Sequence, residues 1–459
     1  MTVAPECPLT PPATPEPLLW HPRPLTARGA GSGIEWAPPR PEVPGDGQGT
    51  LPPSLVVNLA QDFQCFAQGL LWAHRHRMRI LLAPDPESAS ALLRSLSLDA
   101  PSLLLSQEAS TSATPRLVAF LTPPSSPDPD RKRKNPLPRG QIALWSSGTT
   151  QSPGLHFKSW TQLLESADAV GRRLGIRRFS HVLSTVPPYH LYGLEHGLFM
   201  PWRAGVSLYR KRLLFPPDIR AAATLGHCAL LVTTPFHLRA LVESGLTVAG
   251  LGLIVCSTAP LSTALARESE KRFKTPVVEV YGSTETGALA TRRTVREENW
   301  HLLDHVKLAR QGKRPCIAWR RQGTTRFLDD EVEALDSTHL RLLGRRQDIV
   351  KVAGRRASLA ALNEALLGIP GVRSGAFYHP RERETRGEPE RLVAFVVAPG
   401  LPPESILVQL RQRIDGPFLP RPLVVVEEIP HHPTGKISQA TLAGLYREHL
   451  AQPHDSAAH

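Results

Sequence analysis

Apolar and polar positions change their period several times along the chain, and each change predicts an element. "LVVNLA" from Leu55 is an apolar run of strand length; Phe66, Leu70 and Leu71 then fall at helical spacing, and "RILLAP" (Arg79 to Pro84) is a second strand. Strand, helix, strand on this scale predicts a parallel α/β unit. Farther on, Trp160, Leu163, Leu164, Ala167, Val170 and Leu174 share one face at offsets of 3, 4, 7, 10 and 14, the signature of an amphipathic helix. Strands are expected at "HVLSTV" (His181 to Val186), "ALLVTT" (Ala229 to Thr234), "GLIVC" (Gly252 to Cys256) and "PVVEV" (Pro276 to Val280), with helical pieces between them. After Leu343 the texture repeats on a smaller scale. "SLAALNEALLGIPGV" reads as a helix ended by Gly368 and Pro370, "RLVAFVVAP" as a strand, "PESILVQLRQRI" as a helix and "RPLVVVEEIP" as a strand.

The expected fold class is therefore α/β: a large amino-terminal α/β domain followed by a small carboxy-terminal α+β domain. Residues 1–54, dense in Pro and Gly, read as extended segments and turns, 55–343 as the large domain and 344–459 as the small one with a frayed tail. Residues 123–140, "PPSSPDPDRKRKNPLPRG", read as an exposed linker within the large domain, because proline and charge exclude them from a core.

Composition narrows the partners. Of 459 residues 41% are hydrophobic and 21% charged, as in ordinary folded proteins. The net charge of +13 favours an acidic partner or polyanionic substrate, although arginine excess in a proline-rich chain equally reflects a GC-rich genome. The basic run Arg131 to Lys134 lacks interleaved aromatics and reads as a solvated connector, so no nucleic-acid partner is expected. Five cysteines without CxxC spacing indicate neither a zinc site nor a disulfide framework, which points to a reducing, cytoplasmic setting. No leader pattern opens the chain and no apolar run reaches about 18 residues, so stable membrane insertion is not expected. The histidines of "HRHR" (His74 to Arg77) and the pair His431 and His432 have no acidic or cysteine partners at ligand spacing and read as surface residues.

Four stretches carry chemistry: "SSGTT" (Ser146, Ser147, Gly148, Thr149, Thr150), "YGSTETG" (Tyr281 to Gly287), "LLGRRQDIVKVAGRR" (Leu342 to Arg356) and "PTGK" (Pro433 to Lys436). Each alone is weak; their order and spacing together resemble the adenylate-forming superfamily of acyl-CoA synthetases, peptide-synthetase adenylation domains and luciferase-like enzymes. The resemblance spans roughly Leu55 to Leu445. It implies ATP-dependent conversion of a carboxylic acid to an acyl adenylate, transfer to a thiol of CoA or an acyl carrier protein, and a mobile small domain. By the same resemblance "SSGTT" holds the β and γ phosphates through hydroxyls and amides. Tyr281 packs on adenine, Thr284 faces the α-phosphate and Glu285 helps hold Mg²⁺, a hard cation suited to carboxylate oxygen. Asp330 in "FLDDEVEALD" matches the ribose-binding aspartate, although the Thr and Gly that precede it in the family are absent. Arg345 approaches the nucleotide, Gln347 takes the hinge position, and Lys436 bridges the substrate carboxylate and the phosphate. His190 and Gly193 in "VPPYHLYGLEHGLFMPW" line the acid pocket, and "STAPL", with Ala259, resembles the Ser-Gly-Ala-Pro-Leu loop beside adenine and substrate.

Within the superfamily, "VPPYHLYGLE", the stretch from Leu59 to Leu93 and "TRRT" (Thr291 to Thr294) resemble the compact AMP-ligases of bacterial aryl polyene and xanthomonadin pigment pathways. That implies an aromatic or β-hydroxy acid and an acidic carrier protein as acceptor, which a basic enzyme attracts. One feature departs from the pattern. Family phosphate loops continue Thr-Gly-x-Pro-Lys-Gly, whereas Gln151, Ser152, Pro153, Gly154 and Leu155 follow Thr150, so Gly154 stands at the lysine position. His156 and Lys158 are the nearest cations that can neutralise the phosphate tail, with a weaker grip on its γ end and a raised KM for ATP. The same departure leaves open a nucleotide-binding protein without ligase activity.

Overall fold

The alternation within "HVLSTV", "ALLVTT" and "GLIVC" sorts side chains to the two faces of one sheet. In the computed structural model of the chain, Val182, Val232 and Val255 belong to one buried cluster and Leu183, Leu231 and Ile254 to another. The structure describes residues 19–20, 55–58, 62–75, 78–83, 102–108, 116–122, 141–146, 154–311, 314–320, 323, 325–345, 349–352, 354–380, 391–431 and 437–450.

Two large sheets result. A ten-stranded sheet runs in the order Leu19–Trp20, Ser207–Tyr209, His181–Ser184, Ala229–Thr233, Leu251–Cys256, Val277–Ser283, Gly287–Arg292, Trp300–Leu302, His339–Arg345 and Asp330–Ala334. From Ser207–Tyr209 to Val277–Ser283 its neighbours are parallel; from there onward they are antiparallel. A six-stranded sheet has the order Arg116–Thr122, Ser102–Glu108, Leu55–Asn58, Arg79–Leu82, Gln141–Ser146 and Gly154–Ser159, parallel in the middle and antiparallel at both edges. One core unites them: Phe63, Phe66 and Leu70 of the helix Phe63–Arg75 lie in the same cluster as Trp160, Leu163, Ala167 and Val170 of Trp160–Leu174 and as Trp202. The second helix starts where it does because Ser159 and Gln162 form a reciprocal capping box, and it stops at Gly175 in the left-handed conformation. The α/β class expected from the periodicity is thus the observed one.

From Val350 onward the chain builds other cores. Leu359, Leu362 and Leu366 of the helix Leu359–Leu367 pack on Phe377, Ala394 and Val396 of a three-stranded sheet, with Ile406 and Leu410 of Pro403–Arg411. Leu442 and Leu445 of Gln439–Leu450 cover that sheet's other face at Ala376, Tyr378 and Phe395. The expected passage between domains at 343/344 falls inside the strand His339–Arg345, which pairs with Asp330–Ala334 out to Arg345. Of residues 1–54 only Leu19–Trp20 is described, a short strand on Ser207–Tyr209; the linker 123–140 and the tail 451–459 lie outside the described residues. No described helix is long and apolar enough to cross a membrane.

Two histidines expected at the surface are instead packed. His74 stacks on Trp160 at 4.2 Å and 14°, because the last turn of Phe63–Arg75 lies against the first turn of Trp160–Leu174, and burial lowers its pKa. His431 lies against Phe236 at 4.8 Å with the rings tilted by 35°, and its Nε2 lies 3.1 Å from Ser374 Oγ. His76, Arg77 and His432 lie outside the described residues.

A buried ion pair ties the two sheets together. Arg210 Nε donates to Asp62 Oδ2 at 3.1 Å, with the two side chains 5% and 4% exposed. Asp62 Oδ1 accepts the Cys65 amide at 3.1 Å, and the Arg210 carbonyl accepts the Phe63 amide at 2.8 Å. Asp62→Ala removes the counter-charge of a buried guanidinium and a helix-capping acceptor together. It is expected to destabilise the protein by about 3–5 kcal/mol, read as a lower urea midpoint by tryptophan fluorescence. An unchanged midpoint would show that the pair contributes nothing to holding the sheets.

Candidate active site

The parallel strands of the large sheet end in loops that gather most of the described candidate residues. Val277–Ser283 and Gly287–Arg292 are joined by a tight turn with Ser283 opposite Gly287, leaving Thr284 and Glu285 half-buried at its tip. The turn is closed from within: Thr286 Oγ1 accepts the Ser283 amide at 3.2 Å, and the Thr286 amide donates to Ser283 Oγ at 3.3 Å. Gly287, at φ +76°, faces the Glu195 carboxylate so closely that an added Cβ would lie 2.8 Å from its Oε1. Two residues before the turn the Tyr281 hydroxyl donates to Asp330 Oδ2 at 2.6 Å, and the Tyr281 ring meets Trp300 at 5.6 Å. The sheet register sets Arg345 opposite Asp330. An aromatic ring, a carboxylate and a basic residue's backbone are thus brought together from three separated stretches of sequence.

The "STAPL" loop follows the neighbouring parallel strand and is anchored to the same element. Ser257 Oγ donates to the Val280 carbonyl at 2.8 Å, and Glu279 Oε1 accepts the Leu261 amide at 2.9 Å. Glu279 Oε2 also takes Arg292 Nε at 2.9 Å and Thr294 Oγ1 at 3.1 Å. Half-buried Ala259 follows Thr258, whose φ of +82° is left-handed; the family's glycine adopts this conformation without strain, and a β-branched residue holds it against its preference.

His190 opens the segment after the strand His181–Ser184. It is half-buried, and its Nδ1 accepts the Tyr192 amide at 3.3 Å. Seven residues, Gly193–Phe199, then form a π-helix. Gly193 is explained by packing: an added Cβ would lie 2.1 Å from the Pro187 carbonyl oxygen and 3.0 Å from that of Val186. Gly193→Ala is expected to displace the π-helix, destabilise the fold by about 1–3 kcal/mol and raise the KM for the acid. Denaturant titration and acid-dependent turnover check this, and a variant matching the wild type in both would contradict it.

The phosphate-type loop is bounded by the hairpin of Gln141–Ser146 with Gly154–Ser159, in which Ser146 pairs with Gly154. Ser147, Gly148, Thr149 and Thr150 lie outside the described residues, as do Gln347 and Lys436; Ser146 and Arg345 are described in their backbone only. Gly154, His156 and Lys158 alternate onto one face of their strand, and that face meets the Glu285 turn. His156 Nε2 lies 3.3 Å from Glu285 Oε1, Lys158 Nζ donates to the Glu285 carbonyl at 2.9 Å, and Arg326 donates to the same carbonyl at 3.2 Å.

The cations expected at the phosphate tail therefore take other parts. Burial lowers the His156 pKa, and Arg326 and Lys158 lower it further against the opposing pull of Glu285. Lys158 is 4% exposed, and burial pushes its pKa down to about 8 against the attraction of Glu195. Burial pushes Glu285 up, but hydrogen bonds from Ser283 and its own backbone, with the nearby charges, hold it below the ordinary carboxylate value. An ionised carboxylate with its side chain 31% exposed is a donor that fits a hard divalent cation such as Mg²⁺. Buried Glu195 and the contact of Arg326 with the turn were not singled out in the sequence; an acid inside the apolar run "HGLFMPW" and its preceding residues was the available signal.

Groups gathered on loops at the carboxyl ends of parallel strands stand where an open α/β sheet binds its ligand. The chain belongs to the AMP-binding enzyme family, whose sequence model matches residues 75–320. A 4-coumarate–CoA ligase of Cereibacter sphaeroides is 28% identical over 317 residues, covering 66% of this chain and 71% of that protein. A 3,4-dihydroxybenzoate–[aryl-carrier protein] ligase of Bacillus anthracis is 23% identical over 311 residues, covering 66% and 73%. The o-succinylbenzoate CoA synthetase of Bacillus subtilis in complex with its acyl-adenylate intermediate shares the fold, with a TM-score of 0.64 at 15% identity over 85% of this chain and 88% of that one.

Proposed function

We propose that the chain activates an aromatic or β-hydroxy carboxylic acid with ATP as its acyl adenylate, then passes the acyl group to the phosphopantetheine thiol of an acyl carrier protein or of CoA. The observation that carries this reading is the convergence of the Tyr281–Asp330 hydrogen bond, the Glu285 turn and the hairpin strand after the phosphate-type loop. In the first step a substrate carboxylate oxygen attacks the α-phosphorus, the bond to the bridging oxygen breaks, and pyrophosphate leaves. In the second the thiol sulfur attacks the acyl carbon, its proton goes to solvent, and AMP leaves.

Tyr281 packs on adenine and Asp330 takes the ribose hydroxyls. Ser146, Ser147, Gly148, Thr149 and Thr150 hold the phosphate tail, Thr284 meets the α-phosphate and Arg345 approaches the nucleotide. His190, Gly193 and Ala259 border the acid. Glu285 holds Mg²⁺, which when bound neutralises phosphate oxygens. Lys436 draws the two anionic reactants together, and the small domain turns about Gln347 between the steps.

A carrier protein is the preferred acceptor, because carriers are acidic and this chain carries +13. The resemblance of "VPPYHLYGLE" and "TRRT" to aryl polyene and xanthomonadin AMP-ligases supports the same choice of acid and acceptor, in a cytoplasmic setting. Intact-mass measurement of a phosphopantetheinylated carrier, run beside chromatography of CoA reactions, tests it across aromatic, β-hydroxy and fatty acids. Carrier acylation with an aromatic or β-hydroxy acid, faster than acyl-CoA formation, is expected. Efficient acyl-CoA formation with the carrier left unmodified would overturn the choice of acceptor, and turnover of fatty acids alone the choice of acid.

A further inference from the structure

Lys158 is a buried cation spent on structure at a place where the chain has no phosphate-loop lysine. Its strand begins at Gly154 and its next residue, Ser159, caps the helix Trp160–Leu174, so its backbone is fixed on both sides. Its ammonium donates to the carbonyl of Glu285, the tip of the turn that also carries Thr284. Beneath the turn the Glu195 carboxylate, on the π-helix, accepts the Ala288 amide at 3.3 Å and lies against Gly287, where an added Cβ would approach Oε1 to 2.8 Å. Lys158 and Glu195 are each 4% exposed and attract one another.

We infer that Lys158, braced by Glu195, is a positioning residue that fixes the Thr284–Glu285 turn against the strand leaving the phosphate-type loop. Three elements far apart in sequence, the hairpin, the π-helix and the turn, meet there through the Lys158 bond to the Glu285 carbonyl and the Glu195 bond to the Ala288 amide. The carbonyl bond sets where the Glu285 side chain starts, and the Glu195 contact sets where the turn ends. The reading rests on the proposed adenylation function, since its consequence is the placement of the nucleotide's phosphates. A displacement near 1 Å in such a group lowers turnover by about a hundredfold.

The test separates placement from mere charge balance. Four variants, K158M, K158R, E195Q and K158M/E195Q, are compared for thermal unfolding, for ATP binding by calorimetry with Mg²⁺ and no acid, and for kcat and KM in acid-dependent pyrophosphate exchange. In the double variant no buried charge is left without its counter-charge, so it folds even where K158M alone does not. It is expected to unfold near the wild-type temperature yet exchange about a hundredfold more slowly, with weaker ATP binding. K158R, which keeps a donor and a charge, is expected to recover at least a tenth of the wild-type kcat. A double variant that regains wild-type kcat, KM and ATP affinity would show that Lys158 only balances Glu195 and would overturn the inference. Wild-type protein that neither binds ATP nor exchanges pyrophosphate would instead overturn the proposed function.

Discussion

Lys436→Ala is expected to reduce acyl-adenylate formation by about two to three decades, the usual effect of removing one preorganised contact to developing charge. Adenylation brings a carboxylate against a polyphosphate, and a cation between them offsets that repulsion as negative charge builds on the five-coordinate phosphorus. Lys436 lies in the 432–436 stretch outside the described residues, but both flanks are described. His431 rests on Phe236, at the start of the helix that follows the parallel strand Ala229–Thr233, and Gln439–Leu450 packs on the small sheet. Transfer from a pre-formed acyl adenylate to the thiol involves no such pair of anions and is expected to be little changed. Single-turnover assays of the two half-reactions check both statements; equal losses in both would contradict the assignment.

The second large effect is expected at Glu285. Glu285→Gln keeps the volume and removes the charge, so the turn held by Lys158 and Arg326 through its backbone carbonyl survives while the metal donor weakens. Pyrophosphate exchange at fixed Mg²⁺ is expected to fall about a hundredfold, equivalent to about 2.7 kcal/mol of barrier, and the Mg²⁺ concentration for half-maximal rate to rise. Titration of the exchange rate with Mg²⁺ reads both. A variant with unchanged Mg²⁺ dependence would remove Glu285 from the metal.

The turn that carries Glu285 was legible in the sequence because its Gly and Thr spacing announces it, and the buried parallel strands because they are continuous apolar runs. Within those strands successive side chains point to opposite faces, which puts Leu183, Leu231 and Ile254 in one core and Val182, Val232 and Val255 in another. Lys158 was harder. A lysine in an alternating strand ordinarily faces water, and its opposite charge, Glu195, lies in another element inside an apolar segment. Only the packing of that segment under the Gly287 turn brings the two together. His74 and His431 misled for a similar reason: the aromatic faces of Trp160 and Phe236 that cover them come from distant positions. Thr258 carries a signal of another kind, since a β-branched residue at a glycine position reveals its left-handed backbone only in three dimensions.

ATP-dependent activation of an acid is tested most directly by acid-dependent exchange of labelled pyrophosphate into ATP. The wild-type protein is expected to exchange with at least one aromatic or β-hydroxy acid, to require Mg²⁺, and to lose the activity on Lys436→Ala. No exchange with any acid across an aromatic, β-hydroxy and fatty-acid panel, or exchange unaffected by that substitution, would contradict it and leave a nucleotide-binding protein without ligase activity.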